Sequence, residues 1–164
     1  MSARAGNKML NINLGVVGLD EVQKKIDAVM NLETNEKIDK ALGRGAARMQ
    51  SAVKMLTPVG KPEYGGTGNL RNKIFLNHKK RNEWEVTTNV EYAMFVEFGT
   101  GKLGDPSVPH TSKESWVYYN ERLKKFITTH GQKPAAMFRK GFKQSHEKVY
   151  KIVKDEVEEI IKNA

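Results

Sequence analysis

Two stretches dense in glycine and proline divide this chain into segments that must form their local structure separately. Residues 57–69 read Thr-Pro-Val-Gly-Lys-Pro-Glu-Tyr-Gly-Gly-Thr-Gly-Asn, and residues 99–109 read Gly-Thr-Gly-Lys-Leu-Gly-Asp-Pro-Ser-Val-Pro. Proline lacks a backbone donor and glycine loses more conformational freedom on ordering than any other residue, so neither stretch continues a helix or a strand. Long loops are therefore expected at 58–69 and 99–114.

Before the first break, Ile38, Leu42, Ala46, Met49, Val53 and Leu56 recur at spacings of 4, 4, 3, 4 and 3, one face of an α-helix. Pro58 disfavours helical backbone at Thr57 and ends it. Gly43 and Gly45 lower the stability of that helix by about 1 kcal/mol each relative to alanine, and are read as places where another segment comes close. Upstream, Val22, Ile26, Val29 and Met30 form a second helical face, with Asp20 as its cap and Gln23 completing a capping-box-like pair. Residues 11–17 alternate loosely through Ile12, Leu14 and Val16 up to Gly18, as a short edge strand does.

Between the breaks, Ile74, Leu76 and His78 share one face of an alternating run, and Trp84, Val86, Thr88 and Val90 one face of a second, with residues 79–82 as the polar turn of a hairpin. Residues 91–98 fit a strand through Tyr92, Met94, Val96 and Phe98 as well as a helical turn through Tyr92, Phe95 and Val96. After the second break, residues 115–120 with Trp116, Tyr118 and Tyr119 read as a strand, and 122–133 as an exposed polar excursion. A last helix is expected from Pro134, whose missing N–H costs nothing in a first turn, with Phe138, Phe142, Val149, Ile152 and Val153 as its apolar stripe. The sum is one α+β domain over residues 1–164: an antiparallel β-sheet flanked by two N-terminal helices and one long C-terminal helix, with residues 1–10 as a flexible lead-in.

Composition removes whole classes of function. The chain has no cysteine, hence no disulfide framework, no thiolate nucleophile and no Cys-ligated zinc. No stretch approaches the ~20 apolar residues of a membrane span, and residues 1–9 lack the apolar core of a secretory signal, so synthesis in the cytoplasm and no membrane partner are expected. With 28 Lys and Arg against 19 Asp and Glu, the net charge is +9. The excess is uneven: residues 71–81 hold Arg71, Lys73, Lys79, Lys80 and Arg81 with no acidic residue. Residues 139–154 hold Arg139, Lys140, Lys143, Lys148, Lys151 and Lys154 with only Glu147. Such surfaces attract polyanions, and Lys73, Lys79, Lys80, Arg81, Lys140, Lys143, Lys151 and Lys154 are candidate contacts to DNA or to another subunit; solvated faces of ordinary elements read the same way. The last helix ends in Asp155, Glu156, Glu158 and Glu159, against the helix dipole; a neighbouring copy offering cations and a solvated end that tolerates the small penalty both fit.

Catalytic constellations are missing. His78, His110, His130 and His146 stand without a metal-ligand spacing, Gly65-Gly66-Thr67-Gly68 is not followed by Lys-Ser or Lys-Thr, and Glu83 and Glu85 sit on the polar face of a hairpin. No enzyme activity and no cofactor are expected.

The loop borders carry a family pattern. Thr57-Pro58-Val59, then Thr67-Gly68-Asn69-Leu70-Arg71, then Ile74, resembles the Pro-Val-Asp-Thr-Gly-x-Leu-Arg-x-Ser-Ile signature of a family of tailed-phage minor structural proteins that act at the neck between head and tail. Tyr92-Ala93-Met94-Phe95-Val96-Glu97-Phe98-Gly99-Thr100 is similar to that family's Tyr-Ala-x-x-Val-Glu-x-Gly-Thr block. Gly18-Leu19-Asp20-Glu21 and Gly131-Gln132-Lys133-Pro134 resemble its N-terminal and last-helix lead-ins, so the likeness spans about residues 12–160. Residues 61–66 are an insertion, Gly60 stands where Asp is usual, and Ala136-Met137-Phe138 replaces a Pro-Phe step. The resemblance implies an antiparallel sheet flanked by helices, with Pro58, Val59, Thr67, Gly68, Leu70, Arg71, Tyr92, Ala93, Val96, Glu97, Gly99 and Thr100 as structural positions. It implies a tail-completion or head-tail joining protein in the virion neck, a homo-oligomeric ring (hexamer or dodecamer) around the DNA channel. Its partners would be neighbouring head-completion and tail-terminator rings and double-stranded DNA. An ion pair between Arg71 and Glu97 is expected to hold the two blocks together. The alternative function is sequence-nonspecific DNA binding, using residues 71–81 and the last helix.

Overall fold

The computed structural model describes residues 19–32, 35–61, 66–111, 113–121 and 123–164, with only the backbone of Leu19 and Asp20. The strand expected at 11–17 and the lead-in at 1–10 lie outside the described residues, whereas Asp20, expected as the cap, is already helical because α1 begins one residue earlier, and Gln23 donates to Asp27 Oδ1 at 2.9 Å. Helix α1 (Leu19–Met30) leads into α2 (Glu36–Leu56), which Asn35 caps by accepting the N–H of Lys37 on its side-chain oxygen at 2.9 Å. The apolar stripe of α2 is used as its spacing predicts: Ile38, Ala46 and Val53 are buried and Leu42, Met49 and Leu56 half-buried.

Its main neighbour is α5 (Met137–Lys162), running antiparallel, since Gly45 lies against Val149 and Gly141 against Val53. A Cβ on Gly45 would come 2.8 Å from Val149 Cγ1, and one on Gly141 would come 2.6 Å from Val53 Cγ2. Close approach of the two backbones is what these glycines allow. Gly43 serves a second neighbour, the indole of Trp84, at 3.0 Å from where its Cβ would stand. The loss of intrinsic helix stability at Gly43 and Gly45 is thus the cost of two close contacts.

Strands β1 (Ile74–Lys80) and β2 (Glu83–Thr88) form the expected antiparallel hairpin, with Leu76 opposite Val86 and His78 opposite Trp84. The turn is tighter than residues 79–82: Lys79 and Lys80 are in the strand, and Arg81-Asn82 make the corner, Asn82 at φ 61° as hairpin turns prefer. The hairpin is tied to α2 through one carboxylate. Oδ1 of Asp39 accepts the Asn82 N–H at 2.7 Å and the Trp84 Nε1–H at 3.2 Å and lies 3.1 Å from Nε2 of His78, whose ring stacks on Trp84 at 4.4 Å. The Asn82 N–H and its companions hold the Asp39 carboxyl below the usual carboxylate range.

A short helix α3 (Asn69–Asn72) closes the first loop one residue early, after Gly68 at φ 68°. The ambiguous run resolves as helix α4 (Ala93–Phe98), because burying Ala93 and Val96 beside Val90 requires a helical rather than an alternating face. Residues 122–133 are not a structureless excursion: β4 (Lys125–Thr129) pairs antiparallel with β3 (Trp116–Asn120), Tyr119 opposite Phe126. The apolar positions of β4 sit among cations and polar residues, which hid the strand. The protein is an α+β unit whose strands form two small antiparallel ribbons, with two helices ahead of them and a long C-terminal helix.

Helix α5 begins at Met137, not Pro134. Pro134 to Ala136 run along α4 instead, Ala135 N–H donating to Val96 O at 2.9 Å and Ala136 N–H to Glu97 O at 3.1 Å. Its buried face is Met137, Gly141, Ser145 and Ile160; Val149, Ile152 and Val153 are half-buried, whereas Phe142, expected inside, is 57% exposed. Small residues were needed where α2 crosses, and that displaced the large ring outward. The core gathers Val53, Leu70, Ile74, Val90, Ala93 and Met137 where α2, α3, β1, α4 and the start of α5 meet.

Candidate functional site

The two motif blocks meet at the N-terminus of α5. Ala136, the residue at the cap position, has a left-handed backbone (φ 52°) and a methyl group that accepts nothing. Glu97, at the end of α4, supplies the missing acceptor across 41 residues of sequence. Its Oε2 accepts the Phe138 N–H at 2.9 Å, and Oε1 accepts the N–H and the Nε–H of Arg139, each at 3.2 Å. These are the second and third amides of the helix, the ones an Asp or Ser cap normally satisfies, and the negative charge also opposes the positive end of the helix dipole. Glu97 is only 5% exposed, which is tolerable for a carboxylate because three donors converge on it.

Arg139 extends the arrangement outward. Its Nη1 donates to Oδ2 of Asp105 at 2.5 Å, and its guanidinium lies over the Phe98 ring, 4.9 Å from the centroid. Asp105 is itself held in place, its N–H donating to Phe98 O at 2.8 Å. The side chain and backbone N–H of Ser107, and then Arg139, lower the Asp105 carboxyl from 3.8 to about 2. A folded pKa below the unfolded one contributes stability that is complete above the unfolded value and disappears as pH falls through the folded one. The stability difference between the protein and an Asp105→Asn variant is therefore expected to be full above pH 3.8 and to vanish as pH falls toward about 2, read as urea midpoints in a pH series. A difference independent of pH over that window would refute the assignment.

The segment before α5 is clasped by the second block. Thr100 N–H donates to Gln132 O at 2.9 Å and Gln132 N–H to Thr100 O at 3.2 Å, while the Gln132 side-chain amide donates to Phe95 O at 2.5 Å. The first block closes its own loop: Arg71 Nε and Nη2 both donate to the carbonyl of Thr57, at 3.2 and 2.7 Å, and Thr57 Oγ1–H donates to Val53 O at 2.7 Å. Pro58, Val59, Thr67, Gly68, Leu70, Tyr92 and Val96 then face one another across an open cleft of about 330 Å³. Ala93 is buried beneath it.

The expected Arg71–Glu97 ion pair does not form, because each group is already engaged, Arg71 by a backbone carbonyl and Glu97 by α5. Proximity of the two motif blocks in space does not dictate which of their charges meet. Arg139, Asp105 and Gln132 were missed as partners because no local spacing marks them. Of the basic residues, Lys79 pairs with Glu85 at 3.1 Å, Lys80 with Glu83 at 3.2 Å and Lys154 with Glu158 at 3.5 Å. Lys73, Arg81, Lys140, Lys143 and Lys151 are exposed. Two of the five cations in 71–81, Lys79 and Lys80, are thus paired with carboxylates of the same hairpin.

Among the described residues no group of three His, Asp or Glu side chains is placed to hold a metal ion, and no helix is long and apolar enough to cross a membrane. What the site does is mechanical: it fastens two loops and the start of the longest helix to one short helix. Residues 20–99 match the family model described as "Bacteriophage HK97-gp10, putative tail-component". That span runs from α1 through α4 and includes both motif blocks up to Gly99; the β3–β4 ribbon and α5 lie beyond it. It is a likeness to a phage tail component over just under half of the chain. No curated protein and no solved structure matches the chain.

Proposed function

We propose that this chain is a virion structural protein of the phage neck, a tail-completion or head-tail joining component without catalytic activity, assembling as a ring of identical subunits around the DNA channel. The observation that carries the reading is the likeness of residues 20–99 to a phage tail component. The geometry agrees with it, since the motif residues in that span brace loops and helices and assemble no reactive group. In the ring, a hexamer or dodecamer, loops 58–69 and 99–114 reach the adjacent head-completion and tail-terminator rings. The exposed lysines of α5, Lys140, Lys143 and Lys151, face duplex DNA or the next subunit.

Deleting the gene from the phage or prophage that carries it, and complementing it, tests the reading by negative-stain microscopy of lysates. Filled heads accumulating beside separate tails, and joined particles on complementation, are expected. Joined, infectious particles in the deletion would overturn it.

A further inference from the structure

Two apolar surfaces of this chain have nothing covering them among the described residues. The first is one face of the β3–β4 ribbon. Because Val117 is opposite Thr128 and Tyr119 opposite Phe126, these four side chains share a face, on which Val117, Tyr119 and Phe126 are 60%, 47% and 74% exposed. The other face has internal support from Trp116, which lies against Gly101. A two-stranded ribbon is marginal in water by itself, and one with three large apolar residues outward is more so. The second surface is the stripe Val22, Ile26, Val29 and Met30 of α1, at helical spacing and between 46% and 76% exposed.

Their positions differ in a way that matters. The ribbon is joined to the body by the Thr100–Gln132 bridge, just ahead of the start of α5. Helix α1 touches α5 and leads into α2, whose first half lies along the last turns of α5, as the 2.6 Å bond from Arg44 to Glu156 shows. Helix α5 is about 39 Å long at 1.5 Å per residue, so the two surfaces belong to opposite ends of it. Two different patches at opposite ends of one subunit are what a head-to-tail, heterologous contact needs.

Charge selects the occupant. At the ribbon turn, Lys124 is exposed and forms no ion pair with another described residue, while Lys125, opposite Asn120, belongs to the other face of the ribbon. At the end of α5, Glu156 is taken by Arg44 and Glu158 by Lys154, leaving Asp155 and Glu159 exposed with no ion pair among the described residues, at a helix end whose dipole disfavours them. We infer that the Val117–Tyr119–Phe126 face of one copy packs on the Val22–Ile26–Val29 stripe of the next, with Lys124 against Asp155 and Glu159. The contact rests on the ring reading and names the surfaces that close the ring. It also accounts for the reversed order of charges along α5: the acidic end is completed by a neighbour.

Sedimentation velocity of the full chain, at rising concentration, tests the contact. The unaltered chain is expected to associate, and Phe126→Asp or Ile26→Asp to weaken association on the order of 100-fold, as removal of a central interface anchor does. Lys124→Glu is expected to weaken association in low salt, and Asp155→Lys with Glu159→Lys in that same chain to restore it. Such a rescue is not available to a variant that has merely lost its fold. The chain lacks cysteine, so a mixture of Ile26→Cys and Phe126→Cys copies, with oxidised glutathione taking up the two electrons, should give a mixed disulfide dimer that forms far more slowly in denaturing urea than in buffer. An unaltered chain that stays monomeric, or an oligomer indifferent to both Asp variants, would overturn the contact. The neck reading is judged separately: heads and tails that separate on gene deletion leave it standing when the contact fails, and particles that stay joined remove it whatever the oligomer does.

Discussion

Gly99→Ala is expected to destabilise the protein by about 3 to 5 kcal/mol, a large part of the stability of a domain this size. Gly99 is buried with φ 74° and ψ −175°, a combination essentially confined to glycine. Conformational strain is half of the effect. A Cβ there would also stand 2.5 Å from Gln132 O and 2.8 Å from Pro134 N. Both are backbone atoms of the segment that bridges Thr100 and leads into α5, so no side chain can swing aside to relieve the clash. Urea unfolding followed by circular dichroism checks it, with a lower midpoint at an unchanged slope as the expected result. A loss under about 1 kcal/mol would mean that the bridge moves freely, and the clasp described above would be wrong.

Glu97→Ala comes next, at about 2 to 3 kcal/mol, since it leaves two amides of the first turn of α5 without a cap and Arg139 without its buried partner. Glu97→Gln should recover part of the loss, because a side-chain amide oxygen still accepts from one of the two N–H groups. Amide hydrogen exchange separates this role from a general loss of packing. Phe138 and Arg139 should lose protection in Glu97→Ala more than the amides of α2 do, and Arg71→Met should leave them protected. Equal loss at Phe138 in the Arg71 variant would restore the idea that the two motif blocks are held by an Arg71–Glu97 pair.

The amphipathic stripe of α2, the hairpin and the glycines that admit neighbours were all legible in the sequence, because each is a repeat over two to four residues or a local departure from propensity. Strand β4 was not: Phe126 and Ile127 lie among Lys124, Lys125 and a run of threonines, and only pairing with β3 shows the alternation to be a strand. The start of α5 illustrates a conflict between levels. Pro134 is a favourable first residue of a helix, yet Ala135 and Ala136 donate to α4, and the helix begins only after the chain has turned.

The motif blocks show the same division at the site. Their residue types placed Gly68 and Gly99 in glycine- and proline-rich loops and marked Glu97 as a charge to be paired, all properties that belong to a residue and its neighbours. Which donors would meet that carboxylate was decided by tertiary structure alone. Arg71, the cation its motif offered, is held by the Thr57 carbonyl, and the cap of α5 comes from 41 residues away. Periodicity, turn chemistry and loop breaks are short-range and are written in order along the chain. Ion-pair partners, helix caps supplied in trans and the inward or outward choice at Phe142 depend on which elements pack together, and that is settled by the competition of all the buried surfaces at once.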